Sequence, residues 1–301
     1  MESQFPVENR KNGLLHRLLS RSGYLPSEPR RREAAVVAFA SGKGGTGKSF
    51  LTTNLAIALH QRGRRVVVVD CDFGLANSHL LFGANPPFSM QHLLNGQRTV
   101  REVLIETSFG PSLIAGGSGV VSMAELGSRH MQMLARSLGH LAQSFDVVLL
   151  DCAAGMAPQS MITVLGAKRV VMVTNPEIAA LTDAYAVIKC LARQVERPPV
   201  DLLVNRATSP ELASATFDRL FEVSRRFAHQ PIHYLGAVPE DPSVSLRRLG
   251  KPPMLVGDPE CETTMALQIL ADRLDERVAP ANEGERQRGV EQRMLAQIRR
   301  W

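Results

Sequence analysis

The sequence predicts an α/β fold, a doubly wound and mostly parallel sheet with helices on both faces. Apolar runs of strand length alternate with helical segments along most of the 301 residues, which is the pattern of repeated βα units. A glycine-rich turn joins the first strand to the first helix, and acidic or amide side chains close several later strands. Because ligands of parallel sheets bind beyond the carboxyl ends of the strands, we expect a ligand site at that edge.

The glycine-rich turn, Ser41–Ser49, reads SGKGGTGKS and lies between the apolar strand Ala34–Ala40 and a helix with one apolar face. Its backbone N–H groups and the positive end of the helix would surround phosphate oxygens. Lys48 would reach the β- and γ-phosphates, and Ser49 would give its hydroxyl to Mg²⁺. The predicted nucleotide-binding residues of this turn are Gly42, Gly44, Gly45, Thr46, Gly47, Lys48, Ser49 and Phe50.

Carboxylates follow two of the later strands. The strand Arg65–Asp70 is followed by a second acid at Asp72, and the apolar strand Asp146–Asp151 also ends in an acid. Of Asp70 and Asp72, one carboxylate can hold Mg²⁺ through water while the other positions the attacking water. Asp151, at the end of its apolar strand, stands where an acid that holds Mg²⁺ is expected.

Lys43, near the front of the turn, makes the chain resemble the MinD/ParA class of deviant P-loop ATPases. Three further stretches are similar to the FlhG branch of that class, namely DCDFGLAN at 70–77, GGSG at 116–119 and TDAYAVIK at 182–189. The resemblance covers roughly residues 34–275. It implies an ATP hydrolase that dimerises around ATP and Mg²⁺, turns over slowly until a partner stimulates it, and regulates position or number, with flagellar placement as the expected task.

The resemblance also implies roles for individual residues. Lys43 would cross the dimer interface to the partner's nucleotide, so that Lys43, Lys48 and Asp72 would be catalytic, with Asp72 polarising the hydrolytic water. Ser49, Asp70 and Asp151 would serve the metal. Three more positions would surround the nucleoside: Asn205, whose amide can pair with the adenine edge, and Pro239 and Asp241 as the second wall. Glu177 would reach towards the other subunit's nucleoside, although a simple helix cap fits its local pattern equally well.

Composition limits the compartment and the domain plan. The four cysteines are scattered without a CxxC pair, as expected of buried thiols in a reducing cytoplasm, and no apolar run is long enough to span a bilayer. We expect an N-terminal arm at 1–33 with a short amphipathic helix, an ATPase domain at 34–278, and a linker with a C-terminal amphipathic helix at 279–301. The net charge of +6 lies mostly in the two end segments, which favours contact with an anionic partner.

The C-terminal helix, predicted over 286–301, is the expected membrane anchor. Its apolar residues fall within an arc of roughly 140°, and its arginines occupy the other side, as in an interfacial helix. This pattern predicts a cytoplasmic protein with peripheral attachment to an anionic membrane. A tail packed on its own domain and an anchor in the leucine-rich segment 12–22 are the alternatives. The apolar set is Val290, Met294, Leu295, Ile298 and Trp301.

Other functions of the same fold remain open at this point. A ParA-like protein that partitions DNA would bind nucleic acid, but the nearly neutral body of the chain disfavours a broad DNA-binding face. An iron–sulfur electron carrier would need cysteines placed to share a cluster, and no cysteine lies in such a motif. A FlhF-like GTPase is a further expected partner, although Asn9–Leu15 retains little of the motif by which FlhG proteins stimulate it.

Overall fold

The computed structural model describes residues 33–74, 76–117, 126–246, 251–279 and 288–300, and the statements below concern these residues. Eight strands form one sheet in the order β3-β4-β2-β5-β1-β6-β7-β8, and only the β3–β4 pair is antiparallel. This confirms the predicted α/β fold and mostly parallel sheet. The strands are β1 Ala35–Ala40, β2 Val66–Cys71, β3 Ile105–Glu106, β4 Ser112–Ile114, β5 Val147–Cys152, β6 Arg169–Thr174, β7 Val200–Ala207 and β8 Ile232–Pro239.

Helices cover both faces of the sheet, as predicted. Alternate residues of each central strand point to opposite faces, so Val36 and Ala38 of β1 join one buried cluster while Val37 and Phe39 join the other. The helices are α1 Lys48–Gln61, α2 Ser78–Leu81, α3 Met90–Leu94, α4 Val100–Val103, α5 Ser128–Ser144, α6 Pro158–Gly166, α7 Ile178–Ala192, α8 Pro210–Val223, α9 Pro242–Ser245, α10 Met254–Gly257, α11 Glu262–Val278 and α12 Val290–Ile298. A π-helical turn, Ser224–Ala228, continues α8.

The two faces carry different helices. The helical residues of the first buried cluster come mainly from α5, α6, α7 and α12, and those of the second mainly from α1 and α11. The side chains of Asp70 and Asp151 follow the alternation of Val68 and Leu149 and therefore lie on the α1 side of the sheet. The strand pattern thus brings the acids that close β2 and β5 to the helix that follows the glycine-rich turn.

The packing of the C-terminal helix contradicts the prediction that this helix is a membrane anchor. Val290 and Met294 of α12 are fully buried and Ile298 is nearly so, in the cluster that also holds residues of α5 and α6. The fit is close, because a Cβ at Gly166 of α6 would lie 2.3 Å from Met294 Cγ. The apolar stripe that predicted an interfacial helix is therefore part of the core. Arg286 and Trp301, the predicted ends of that helix, lie outside the described residues.

The N-terminal arm predicted at 1–33 stays a prediction, because all of it except residue 33 lies outside the described part of the chain. Among the described residues, no helix combines the length and apolar character needed to cross a bilayer.

Candidate nucleotide site

The glycine-rich turn between β1 and α1 has the backbone of an anion-binding loop. Gly45 and Gly47 have φ angles of 78° and 89°, a region that residues with a Cβ rarely occupy. The loop is also held closely from outside, because a Cβ at Gly42 would lie 2.2 Å from the backbone carbon of Asp183 in α7. In contrast, a Cβ at Gly44 or Gly45 would meet no atom within 4 Å, so the front of the loop is open to a ligand.

Lys48, the first residue of α1, points down to the sheet. Its Nζ donates to Asp151 Oδ1 at 2.8 Å, and both side chains are buried. Burial lowers the pKa of Lys48, but the charge and the hydrogen bond of Asp151 outweigh that effect and leave the pKa above its usual value. Lys48 is therefore a charged group held beneath the loop by a carboxylate.

Asp70 and Asp151 face each other from adjacent parallel strands, as register partners of β2 and β5. Ser78, at the start of α2, joins them, because its N–H donates to Asp70 Oδ2 at 3.1 Å and its Oγ to Asp151 Oδ2 at 3.0 Å. Burial, followed by the charge of Asp151, raises the pKa of Asp70 to about 7. Lys48 thus pairs with one of two adjacent buried carboxylates, an arrangement that a divalent cation would complete.

Asp72 lies just beyond the end of β2, partly exposed, and its N–H donates to Asp70 Oδ1 at 3.0 Å. Ser49 is also partly exposed, one residue after Lys48, while Phe50 packs against the cluster on the α1 side of the sheet. The predicted metal and water residues therefore lie on three neighbouring segments at the carboxyl edge of the sheet.

The two predicted interface residues contact each other within one chain. Lys43 Nζ donates to Glu177 Oε2 at 2.6 Å, and the side chains are 35% and 59% exposed. The hydrogen bond from Lys43 lowers the pKa of Glu177. The pair bridges the front of the loop and the residue that precedes α7, at the surface of the site.

The three predicted base-binding residues make different contacts in the structure. Asn205 Nδ2 donates to the Thr46 carbonyl at 2.7 Å, so β7 holds the loop directly. Pro239 ends β8 and pairs in register with Ala207 of β7. Asp241 caps α9 by accepting from the Ser243 N–H at 2.8 Å, and its other oxygen accepts from Thr263 Oγ1 at 2.8 Å. The structure therefore gives Asn205 and Asp241 scaffold contacts that the sequence did not predict.

Several observations fit a nucleotide phosphate and Mg²⁺ at this loop. The hydroxyl of Thr46 is buried with no hydrogen-bond partner among the described residues, no side chain caps the N-terminus of α1, and its first turn holds no acid. An anion would satisfy these groups. Mg²⁺ commonly takes one or two carboxylates with phosphate oxygens and water. Asp70 and Asp151 supply two carboxylates at the edge of the sheet where the helix that contains Ser49 begins.

Sequence reasoning missed Ser78 and Asp183. Ser78 connects both buried carboxylates, and its position directly after the DCDFGLAN stretch was a usable signal, because it begins the next helix. Asp183 approaches Gly42 through its backbone, and a backbone contact leaves no signal in residue type.

The model of the CobQ/CobB/MinD/ParA nucleotide binding domain matches residues 37–251 of this sequence, which include the loop, both buried carboxylates and Asn205. The chain belongs to this family. The antiactivator FleN of Pseudomonas aeruginosa is 32% identical to it over 247 residues, covering 82% of this chain and 88% of that protein. The flagellum site-determining protein YlxH of Helicobacter pylori is 35% identical over 204 residues, covering 67% and 68%.

A solved structure agrees with the fold of this MinD/ParA-family chain. The septum site-determining protein MinD of Pyrococcus horikoshii, in complex with Mg-ADP, has a TM-score of 0.69 and 27% identity, and the match covers 82% of this chain and 98% of that one. The family resemblance predicted from the sequence is confirmed, because the chain matches a nucleotide binding domain. The Mg-ADP of that solved structure is of the same chemical class as the cofactors that the sequence predicts, ATP and Mg²⁺.

Proposed function

We propose that this MinD/ParA-family protein is an FlhG-like ATPase that dimerises on ATP and regulates the placement or number of flagella. The observation that carries the proposal is the buried network beneath the loop, in which Lys48 is held by Asp151 and the two carboxylates share Ser78. In such a network the lysine can bind phosphate and the two carboxylates can bind Mg²⁺. The similarity to FleN and YlxH supports the flagellar task.

Nucleotide binding would rearrange this network. Lys48 would move its charge from Asp151 to the β- and γ-phosphates, and Asp151 and Asp70 would then turn to the metal through its waters. Bound Mg²⁺ neutralises phosphate charge during transfer. Asn205 would keep its contact with the Thr46 carbonyl, so that β7 fixes the loop beside β8, the strand that ends at Pro239 in the predicted base pocket.

The Lys43–Glu177 pair supports a role for both residues at a dimer interface. An ion pair between exposed side chains contributes about 0–1 kcal/mol, so its loss costs little when a second subunit approaches. Lys43 would then pair with the partner's phosphates and Glu177 with its nucleoside. Asp72 would orient the attacking water. The positive charge that assists hydrolysis would come from the other subunit, so we expect slow turnover of the isolated protein and faster turnover with a partner such as an FlhF-like GTPase.

The proposed localisation is the cytoplasmic face of the membrane. Since the apolar face of α12 is packed in the core, we assign membrane contact to the leucine-rich segment 12–22 of the predicted N-terminal arm, which lies outside the described residues.

The test compares Lys43→Ala with Lys189→Ala, an exposed lysine on α7 that serves as the matched control. Calorimetric titration with ATP and Mg²⁺ should give Lys43→Ala an affinity within a few-fold of wild type, whereas its steady-state ATP hydrolysis should fall at least tenfold. Lys189→Ala should match wild type in both assays. An equal loss of affinity and hydrolysis in Lys43→Ala would mean that Lys43 acts on its own subunit's nucleotide and would contradict the proposed dimer.

A further inference from the structure

One residue at the edge of the nucleotide site has an unusual backbone. Arg206 has a φ angle of 58° and, among the described residues, shares this left-handed region with one other residue that is not glycine, His229. Residues with a Cβ are seldom found there. Such conformations persist where the surrounding structure imposes them, often at functional sites. The conformation of Arg206 therefore needs a physical reason.

That reason is a β-bulge near the end of β7. The pairing with β8 moves from Val204–Ala237 to Ala207–Pro239, so that two residues of β7 lie opposite one residue of β8. Val204 and Ala207 both belong to the first buried cluster although they are three positions apart, which the alternation of a regular strand does not allow. The bulge turns the extra residue out of the strand, and bulges beside active sites re-aim side chains in this way.

The bulge gives Asn205 and Arg206 different environments. Asn205 is buried and donates to the Thr46 carbonyl in the glycine-rich loop, whereas Arg206 is exposed. A glycine would adopt the same φ angle at no steric cost, so the backbone alone does not require an arginine. We therefore look to the guanidinium, and to what it can reach at the surface of the site.

Arg206 lies beside the exposed ion pair of Lys43 and Glu177. Thr174 and Val204 are register partners at the ends of β6 and β7, and Glu177 and Arg206 follow them by three and two positions. The pKa of Glu177 is lowered first by the hydrogen bond from Lys43 and then by the charge of Lys43, and the charge of Arg206 acts in the same direction. One cation is thus bonded to Glu177 at 2.6 Å, and a second acts on it through its charge.

We propose that Arg206 is a positioning residue, which holds Glu177 when Lys43 leaves it for the phosphates of the partner. This inference rests on the proposed function, in which Lys43 crosses the dimer interface. Without a second cation, the departure of Lys43 would leave the charge of Glu177 uncompensated in front of an ATP-bound partner. A guanidinium matches the two oxygens of a carboxylate with paired N–H donors. Arg206 would therefore keep Glu177 ionised and directed to the partner's nucleoside.

The first experiment measures the pKa of Glu177 in the nucleotide-free protein by NMR of its carboxyl carbon, with Glu177→Gln to identify the signal. Lys43→Ala should raise this pKa, and Lys43→Ala with Arg206→Gly should raise it further, because both cations are then gone. With Arg206→Lys instead, the pKa should stay near that of Lys43→Ala, because the charge remains. Arg219→Ala in the Lys43→Ala background removes an exposed arginine of α8 and is the matched control, which should cause no further rise.

The second experiment measures dimer formation by sedimentation with ATP and Mg²⁺ in the Asp72→Ala background, which should hydrolyse ATP poorly. Adding Arg206→Gly should raise the dimer dissociation constant by roughly fivefold, because the contact is lost in each of two equivalent subunits. Arg206→Lys should recover most of this loss, and Arg219→Ala should cause none. The Tm of Arg206→Gly should not fall, because glycine suits the backbone, and its calorimetric affinity for ADP should match that of wild type.

The results separate this inference from the proposed function. A monomer of Asp72→Ala with ATP would contradict the proposed dimer, and the pKa of Glu177 would still show whether Arg206 acts on this residue. An equal pKa of Glu177 with and without Arg206, or equal dimer formation by Arg206→Gly and Arg219→Ala, would overturn the role of Arg206. A loss of ADP affinity in Arg206→Gly would also overturn it, because Arg206 would then bind the nucleotide of its own subunit.

Discussion

At the scale of single residues, Lys48 combines a proposed task with an observed contact. We propose that it neutralises nucleotide phosphates, and in the structure it pairs with Asp151, which is completely buried. Removal of one partner from a buried pair leaves an uncompensated charge and costs about 3–5 kcal/mol. The lysine is therefore expected to affect stability as well as binding.

We predict that Lys48→Ala abolishes ATP binding in a calorimetric titration and lowers the free energy of unfolding by about 3–5 kcal/mol. The double variant Lys48→Ala with Asp151→Asn removes both charges, so it should recover most of the stability while binding remains lost. If the double variant recovered ATP binding, Lys48 would not be the phosphate-neutralising residue. Urea unfolding of both variants gives the stability arm of the test.

Asp70 gives a prediction on pH. Its pKa is raised from 3.8 to about 7 in the folded protein, first by burial and then by Asp151. Between these values the folded state keeps a proton that the unfolded state releases, so the contribution of Asp70 makes stability fall as pH rises from about 4 and level off above about 7. The full change is roughly 4 kcal/mol.

The measurement is the free energy of urea unfolding of the nucleotide-free protein at several pH values, without Mg²⁺. Wild type should lose stability relative to Asp70→Asn between about pH 4 and pH 7, because the amide does not titrate. Parallel curves for the two proteins would show that the pKa of Asp70 is close to its usual value.

At the scale of secondary-structure elements, α12 shows where a sequence pattern has two physical meanings. An apolar stripe with arginines opposite is typical of a membrane-surface helix, but the same stripe is required of a helix that packs on a domain. Here Val290, Met294 and Ile298 fill the space beside α5 and α6. The sequence could not distinguish the two, because the deciding feature is the groove on the other helices.

The packing of α12 is tested by Met294→Ala, which should destabilise the protein by about 2–5 kcal/mol, the usual cost of removing a fully buried methionine side chain. Gln292→Ala on the exposed side of the same helix is the control and should change stability by less than about 0.5 kcal/mol. Urea unfolding measures both. Equal small effects would indicate that α12 does not pack on the domain in solution.

At the scale of the whole molecule, the sheet and the positions of most candidate site residues were predictable because both follow from local patterns. Alternating βα units set the sheet, and Lys48, Asp70, Asp151 and Asn205 stand at its carboxyl edge as parallel topology requires. Contacts between distant segments were not predictable. The pairing of Lys43 with Glu177 depends on how α7 approaches the loop, and no spacing in the sequence encodes that approach.

The segments at the carboxyl edge of the sheet indicate why dimerisation should depend on ATP. The Lys43–Glu177 pair, the open front of the loop at Gly44 and Gly45, and the exposed side chains of Met156 and Ile178 belong to segments that follow β1, β5 and β6 at the carboxyl edge of the sheet. A second copy placed against this edge would bring a lysine to the γ-phosphate of its partner. With ADP that phosphate is missing, so the incoming charge has less to bind.

The most direct measurement of this central claim is sedimentation velocity of Asp72→Ala, which should bind ATP but hydrolyse it poorly and so keep the ATP-bound form. Asp218→Ala, an exposed acid on α8, is the matched control and should behave as wild type. With ATP and Mg²⁺ we predict that Asp72→Ala sediments as a species of twice the monomer mass. With ADP and Mg²⁺ it should sediment as a species of the monomer mass. Monomer in both conditions, with ATP binding confirmed by calorimetry, would contradict the account.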